Sequence, residues 1–262
     1  MLTRHAIARR ANDDGVDAVV VERDYVLAHV VAQLHLAQPD DGGQIVFKGG
    51  TALRLVYLQD YRYSADLDFS VVGGTEASAL AALATVLDAA REHAGLPQLQ
   101  LTETDKPALA YVGPLGATQP RAIKLDLSTD EHVESVAQRT MFDIWPDLPA
   151  PVFFCAYPIE EIGAEKLRCV IQRVQCRDLY DLFRLTEDLG LSLAEIRALF
   201  EEKTRAKGLD SGSFAERFED RLARYVDRWT TEMTEHLGDP PRFDDVVRVM
   251  RRNLRGAGLL ET

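Results

Sequence analysis

The run Asp66-Leu67-Asp68-Phe69-Ser70-Val71-Val72 constrains the fold more than any other stretch of the chain. Polar and apolar side chains alternate along it, the pattern of a β-strand with one buried face, and Gly73-Gly74-Thr75 ends it. Such a strand needs a sheet around it. Ile45-Val46-Phe47, Leu99–Thr104, Ala108–Val112 and Ala122–Ser128 have the composition to supply partners. After the first of these, Lys48-Gly49-Gly50-Thr51 places a Gly pair on a strand-to-helix turn, and Ala52–Leu58 resumes helical character. Residues 5–37 and Glu76–Ala94 read as helices. From about Pro158 the texture changes: Glu160–Val174, Arg177–Leu189, Leu193–Lys207, Phe214–Glu235 and Phe243–Arg255 all carry helical periodicity. The expectation is an α+β chain, with an α/β domain over 1–155 built on a mixed sheet and an all-helical domain over 156–262.

A chain of 262 residues is long enough for that division, and 46% hydrophobic with 27% charged residues is ordinary globular composition. Apolar runs such as Ala79–Leu87 stop short of the roughly 18 residues that span a bilayer. The first ten residues lack an apolar signal core. Cys155, Cys169 and Cys176 form no paired motif, so a reducing cytoplasm and no membrane association are expected. The six histidines show no paired ligand spacing, and no zinc site is expected. The net charge of −12 is carried by the front of the chain: residues 1–165 hold 12 Lys+Arg against 24 Asp+Glu, whereas residues 166–262 hold 18 of each. An acidic front half discourages non-specific nucleic-acid binding and suits divalent cations.

Asp66 and Asp68, at i and i+2 on a strand, point to one face about 7 Å apart at the backbone. Two carboxylates so placed can share Mg²⁺ ions whose remaining ligands are nucleotide phosphates. A bare Asp-x-Asp is more often a solvated strand face. The Gly49-Gly50 turn opens a helix whose first N–H groups suit a phosphate, and Thr51 offers a cap or a hydroxyl contact. Taken alone, that turn is more often a turn and nothing else, and the Walker spacing is absent. On Ile123-Lys124-Leu125-Asp126-Leu127 the alternation puts Lys124 and Asp126 on one face. Asp126 is therefore either a third carboxylate for the same sheet face or a structural acid.

Two blocks carry a resemblance. Phe47-Lys48-Gly49-Gly50-Thr51-Ala52-Leu53-Arg54-Leu55 with Arg62-Tyr63-Ser64-Ala65-Asp66-Leu67-Asp68-Phe69 is similar to the AbiEii/AbiGii toxin family of nucleotidyltransferases, the toxin halves of bacterial toxin–antitoxin systems. Ile159–Arg168, with its Ala164-Glu165-Lys166-Leu167, and then Arg177-Asp178-Leu179-Tyr180-Asp181-Leu182 resemble the later motifs of the same family. The matched pieces span residues 44–185. The 15 residues between Gly50 and Asp66 exceed the spacing usual in the wider polymerase-β-like superfamily.

The resemblance implies a polymerase-β-like nucleotidyltransferase domain followed by the helical one. It implies that Lys48, Gly49, Gly50, Thr51, Ser64 and Lys166 bind nucleotide and that Asp66 and Asp68 hold Mg²⁺, with Mn²⁺ as an alternative. Asp66, Asp68, Lys166 and Asp178 would be catalytic, and Asp126 and Asp181 additional acids. The implied reaction moves NMP from an NTP to an RNA acceptor, the 3′ end of tRNA, and so blocks translation. A cognate antitoxin is the implied protein partner. Arg248, Arg251, Arg252 and Arg255 fall at i, i+3, i+4 and i+7, and Arg217, Arg221, Arg224 and Arg228 form a second row; either row can track an RNA backbone or lie solvated among neighbouring acids. The alternatives are transfer to a protein or small molecule, and a catalytically silent module that binds antitoxin or nucleic acid.

Overall fold

The computed structural model describes residues 1–102 and 106–261. The chain forms two compact units: Met1–Asp130 with Val136–Ala156 and His236–Gly238, and Glu131–Ser135 with Tyr157–Glu235 and Asp239–Thr262.

In the first unit, the expected helix over 5–37 is divided. Helix α1 (Arg4–Asp14) starts on the hydroxyl of Thr3 and ends at Gly15 in the left-handed region, φ 66°. Asp17 then caps α2 (Ala18–Val31) through the Val19 N–H at 2.7 Å, so a second helix starts at once. A mixed sheet follows, with the strand order β3-β4-β5-β2-β1-β7-β6. Strand β1 (Gln44–Lys48) runs antiparallel to β2 (Leu67–Val72), and β2 runs parallel to β5 (Arg121–Ser128). Strands β4 (Ala108–Tyr111) and β3 (Gln100–Leu101) extend that side antiparallel. On the other side come β7 (Phe154–Ala156), parallel to β1, and β6 (Ala137–Arg139), antiparallel to β7. The expected strand Leu99–Thr104 is thus seen as β3, and its residues 103–104 lie outside the described residues.

Burial explains the strand sequences. Ile45, Val46 and Phe47 of β1 are buried on both faces, as a central strand must be. In β5, Ile123 and Leu125 are buried while Ala122 and Lys124 are exposed. The rings of Phe47 and Phe69 lie 5.6 Å apart and join Phe154 in the core. Helix α4 (Glu76–Ala94) buries Ala79, Leu83, Val86, Leu87 and Ala90 along one stripe.

The second unit carries α5 (Ile159–Gln172), α6 (Cys176–Asp188), α7 (Arg197–Ala206), α8 (Phe214–Thr234) and α9 (Phe243–Gly256). Helix α7 begins at Arg197 rather than Leu193, because Leu193–Ile196 form a turn. Phe214, Phe218, Tyr225, Trp229 and Met233 give α8 its buried face, and Phe214 stacks on Phe218 and meets Phe200 edge-on at 5.6 Å. The short segment Glu131–Ser135 is stitched to this unit. Glu161 accepts the N–H groups of Glu134 and Ser135 at 2.7 and 2.9 Å, and Lys203 donates to the His132 carbonyl at 2.6 Å. Lys203 also pairs with Glu161 at 2.6 Å, both side chains fully buried, and Glu131 lies 3.5 Å from Arg168 and 3.3 Å from Lys207. Among the described residues no helix is long and apolar enough to cross a membrane.

Candidate active site

In the first unit the sequence-predicted residues converge at one end of three adjacent strands. Lys48, last residue of β1, stands opposite Asp68 on β2, and Asp68 stands beside Asp126 on β5. Residues paired across neighbouring strands share a face, so the carboxylates of Asp68 and Asp126 flank each other on strands about 4.8 Å apart. Asp66 precedes β2 by one residue instead of opening it, and its carbonyl accepts the Thr51 hydroxyl proton. That bond ties the helix after the turn to the start of the acidic strand. Thr51 is buried, and the helix N-cap position belongs to Lys48.

The turn itself needs glycine. Gly49 has φ +77°, and a Cβ there would overlap the carboxylate of Asp68. A Cβ on Gly50 would fall 2.6 Å from Arg62 Nη2 and 3.1 Å from Ser64 Oγ. Arg62, only 2% exposed, donates to the Tyr63 carbonyl at 3.1 Å. The four-residue helix α3 (Gly49–Ala52) continues into a wider π-helical turn, Leu53–Tyr57. There Arg54 is clamped by the carboxylate of Asp24, the Tyr61 carbonyl and the ring of Tyr63, 3.8 Å from its guanidinium carbon. This buried pair is invisible to local pattern because its members are 30 residues apart.

Lys124 lies on β5 with Nζ 3.1 Å from Asp126 Oδ2. Partial burial pulls its pKa down, but Asp126, Asp68 and Asp66 outweigh that and hold it above the ordinary lysine value. Asp66, Asp68 and Asp126 offer hard oxygen donors of the kind Mg²⁺ takes, one or two per ion with phosphates and water completing the shell. Among the described residues no group of three or more Asp, Glu, His or Cys side chains is arranged to hold a metal ion. The chemistry of these donors, carboxylate oxygens without nitrogen or sulfur, fits Mg²⁺ or Mn²⁺.

In the second unit Lys166 of α5 reaches Asp178 and Asp181 of α6 at 2.9 and 2.7 Å. Asp178 and Asp181 are buried, one helical turn apart on a single face. Arg173, just beyond the end of α5, makes a two-pronged contact with Asp178 at 2.8 and 3.1 Å and stays 47% exposed. Burial pushes the Asp178 carboxyl up, yet Lys166 and Arg173 more than offset it and hold it below the usual carboxylate range. Sequence reasoning missed Arg173: the helix expected over Glu160–Val174 takes it in, whereas α5 ends at Gln172 and leaves Arg173 at the cap. Cys169 and Cys176 have thiols pushed up to about 12 by burial and then by nearby carboxylates, which leaves them protonated and inert.

Three of the four arginines of the α8 row and all four of the α9 row are engaged within the second unit. Arg217, Arg221 and Arg228 donate to the carbonyls of Ile171, Val170 and Val174, at and just beyond the C-terminal end of α5. On α9, Arg248 bonds Asp245, Arg251 bonds Glu219, Arg252 bonds Glu187 and Arg255 bonds the Glu261 carbonyl.

The model of the family described as nucleotidyl transferase AbiEii toxin, type IV toxin–antitoxin system, matches residues 32–249. Among solved structures, the chain is similar to MenT4, nucleotidyltransferase toxin Rv2826c from Mycobacterium tuberculosis H37Rv, with TM-score 0.54 and 21% identity over 87% of this chain and 73% of that one. An antigenic nucleotidyltransferase-like protein from Paracoccidioides brasiliensis matches with TM-score 0.39 and 15% identity over 62% of this chain and 73% of that one. No curated protein matches. At 21% identity the MenT4 likeness speaks to the fold, and the family match covers most of the chain. The chain therefore belongs to the AbiEii family of nucleotidyltransferase toxins of toxin–antitoxin systems.

Proposed function

We propose that the protein transfers NMP from an NTP to an RNA acceptor, the 3′ end of tRNA, in a reaction that needs Mg²⁺ or Mn²⁺ and blocks translation in the cytoplasm. The observation that carries this is the row Lys48, Asp68 and Asp126 on three neighbouring strands, with Gly49 packed against the Asp68 carboxylate. The chain divides functionally into a polymerase-β-like domain over 1–155 and a helical domain over 156–262, and a cognate antitoxin opposes it.

Gly49 and Gly50 present the open N–H groups of the helix start to the triphosphate. Lys48 and Ser64 border the same turn. Asp66 and Asp68 hold the divalent ion, which when bound stabilises the attacking and leaving oxygens. Thr51 keeps Asp66 in place through its carbonyl. An acid of the row, Asp126 or Asp68, accepts the proton of the acceptor hydroxyl. Lys166 supplies a compact positive charge for phosphate, and Asp178 and Asp181 hold its ammonium in position. Arg248, Arg251, Arg252 and Arg255 exchange their carboxylate or carbonyl partners for RNA phosphates. That exchange has a cost, and it favours as second reading a protein or small-molecule acceptor.

The test is label transfer from each α-³²P NTP in turn, with Mg²⁺ and total RNA, by the wild type and by Asp66→Ala. A labelled tRNA-sized band that vanishes in the variant is the expected result. Label on protein or small molecules moves the acceptor to the second reading. Absence of label with all four nucleotides and folded protein overturns the enzymatic proposal in favour of a binding module.

A further inference from the structure

Lys124 has no part in the chemistry so far, yet it sits where a cation would. Its Nζ is 3.1 Å from Asp126 Oδ2 with the side chain 61% exposed, and Asp126 is in register with Asp68 on the adjacent strand. Carboxylates directly opposed on neighbouring strands repel each other. One exposed ion pair gives a lysine little reason to hold a fixed position. The combined field of the acidic row gives it more. Its four-carbon stem lets the ammonium leave that position at small cost.

We propose that Lys124 is a built-in counter-ion of the acidic row: its ammonium neutralises Asp126, the acid in register with Asp68, when no divalent cation is present and competes with that cation for the Asp126 oxygens. This inference rests on the metal-dependent nucleotidyltransferase reading and adds to it a residue that sets how tightly the bare site takes metal. Mg²⁺ then displaces Lys124 instead of filling a vacant cluster, so metal occupancy depends on the extra charge and ligands that the nucleotide brings.

The full chain without nucleotide is titrated with Mg²⁺ by calorimetry, and its melting temperature is followed with and without the ion. Lys124→Met keeps the stem and removes the charge; it is expected to bind Mg²⁺ at least about fivefold more tightly, the water-like limit for losing one positive charge about 4 Å away. It is also expected to melt lower than wild type in metal-free buffer and to show a larger rise on adding Mg²⁺. Lys124→Arg retains the charge and is expected to follow the wild type, and Asp68→Asn to bind weakly. Equal Mg²⁺ affinity in wild type and Lys124→Met, with binding lost in Asp68→Asn, overturns the role of Lys124 and leaves the metal reading standing. Lack of saturable binding in every variant, Lys124→Met included, overturns the competition by Lys124, while the metal-dependent reading stands or falls on the label-transfer test.

Discussion

Asp178 receives three charge-assisted hydrogen bonds, one from Lys166 and two from Arg173, while almost wholly removed from water. Its carboxyl is held below the usual range in the folded chain, whereas an unfolded aspartate titrates near 3.9. The unfolded state therefore binds more protons in acid, and the stability due to Asp178 is fully present above about pH 4 and lost as pH falls through its folded value. Asp178→Asn is expected to lower stability at pH 7 by about 3 kcal/mol, since Lys166 keeps Asp181 while Arg173 and Lys166 both lose the Asp178 charge. Urea unfolding repeated stepwise down to pH 2 should show the gap between wild type and variant closing. A constant gap would assign the loss to packing instead. At this scale the strand after Asp66 and the turn at Gly49 are legible in sequence, because alternation and a Gly pair carry geometry, whereas Lys166 enters only through the family resemblance. Arg173 and the Asp24–Arg54 pair are not legible, since one depends on a helix end the sequence does not mark and the other joins residues 30 apart.

The arginines of α8 belong to the next scale. Helices end with carbonyls that lack intrahelical partners, and cations favour that negative end. Arg217 and Arg221 meet this need at the end of α5, and Arg228 does the same for Val174 just after it. Arg221→Ala is expected to cost about 1–2 kcal/mol, as a lost charged hydrogen bond does. Arg248→Ala, on an exposed pair with Asp245, is expected to change stability by less than about 0.5 kcal/mol. Thermal melts of the two variants separate an arginine that caps a helix from one that is available for other work. From sequence the two rows look alike, because helical spacing reports which side a residue faces but not what lies opposite. Helix α4 is legible to its ends, since Thr75 and Gly95 are chemical stops. Strands β6 and β7 are not, being three residues each, with β7 embedded among Pro149, Pro151 and Pro158. The division of α1 from α2 is written in Gly15 and Asp17, but the apolar run that follows masks it.

Across the whole molecule, neither unit is a single stretch of chain. Glu131–Ser135 leaves the first unit's sequence to satisfy Glu161 and Lys203, then the chain returns to build β6 and β7. Removing that segment would leave a buried carboxylate and a buried ammonium short of main-chain partners, a costly state for both. Residues 157–262 expressed alone are therefore expected to melt broadly and without cooperativity, whereas the full chain melts sharply. Circular dichroism against temperature decides it, and a sharp transition in the fragment would show that the segment is dispensable. The consequence reaches into heredity. A recombination event joining the front of one such gene to the back of another at residue 156 would deliver a helical unit whose Glu161 and Lys203 meet a five-residue segment from a stranger. Any segment of that length offers the main-chain groups, but the Glu131 side chain between Arg168 and Lys207 does not come with every parent, so a hybrid that loses it is expected to be the less stable one.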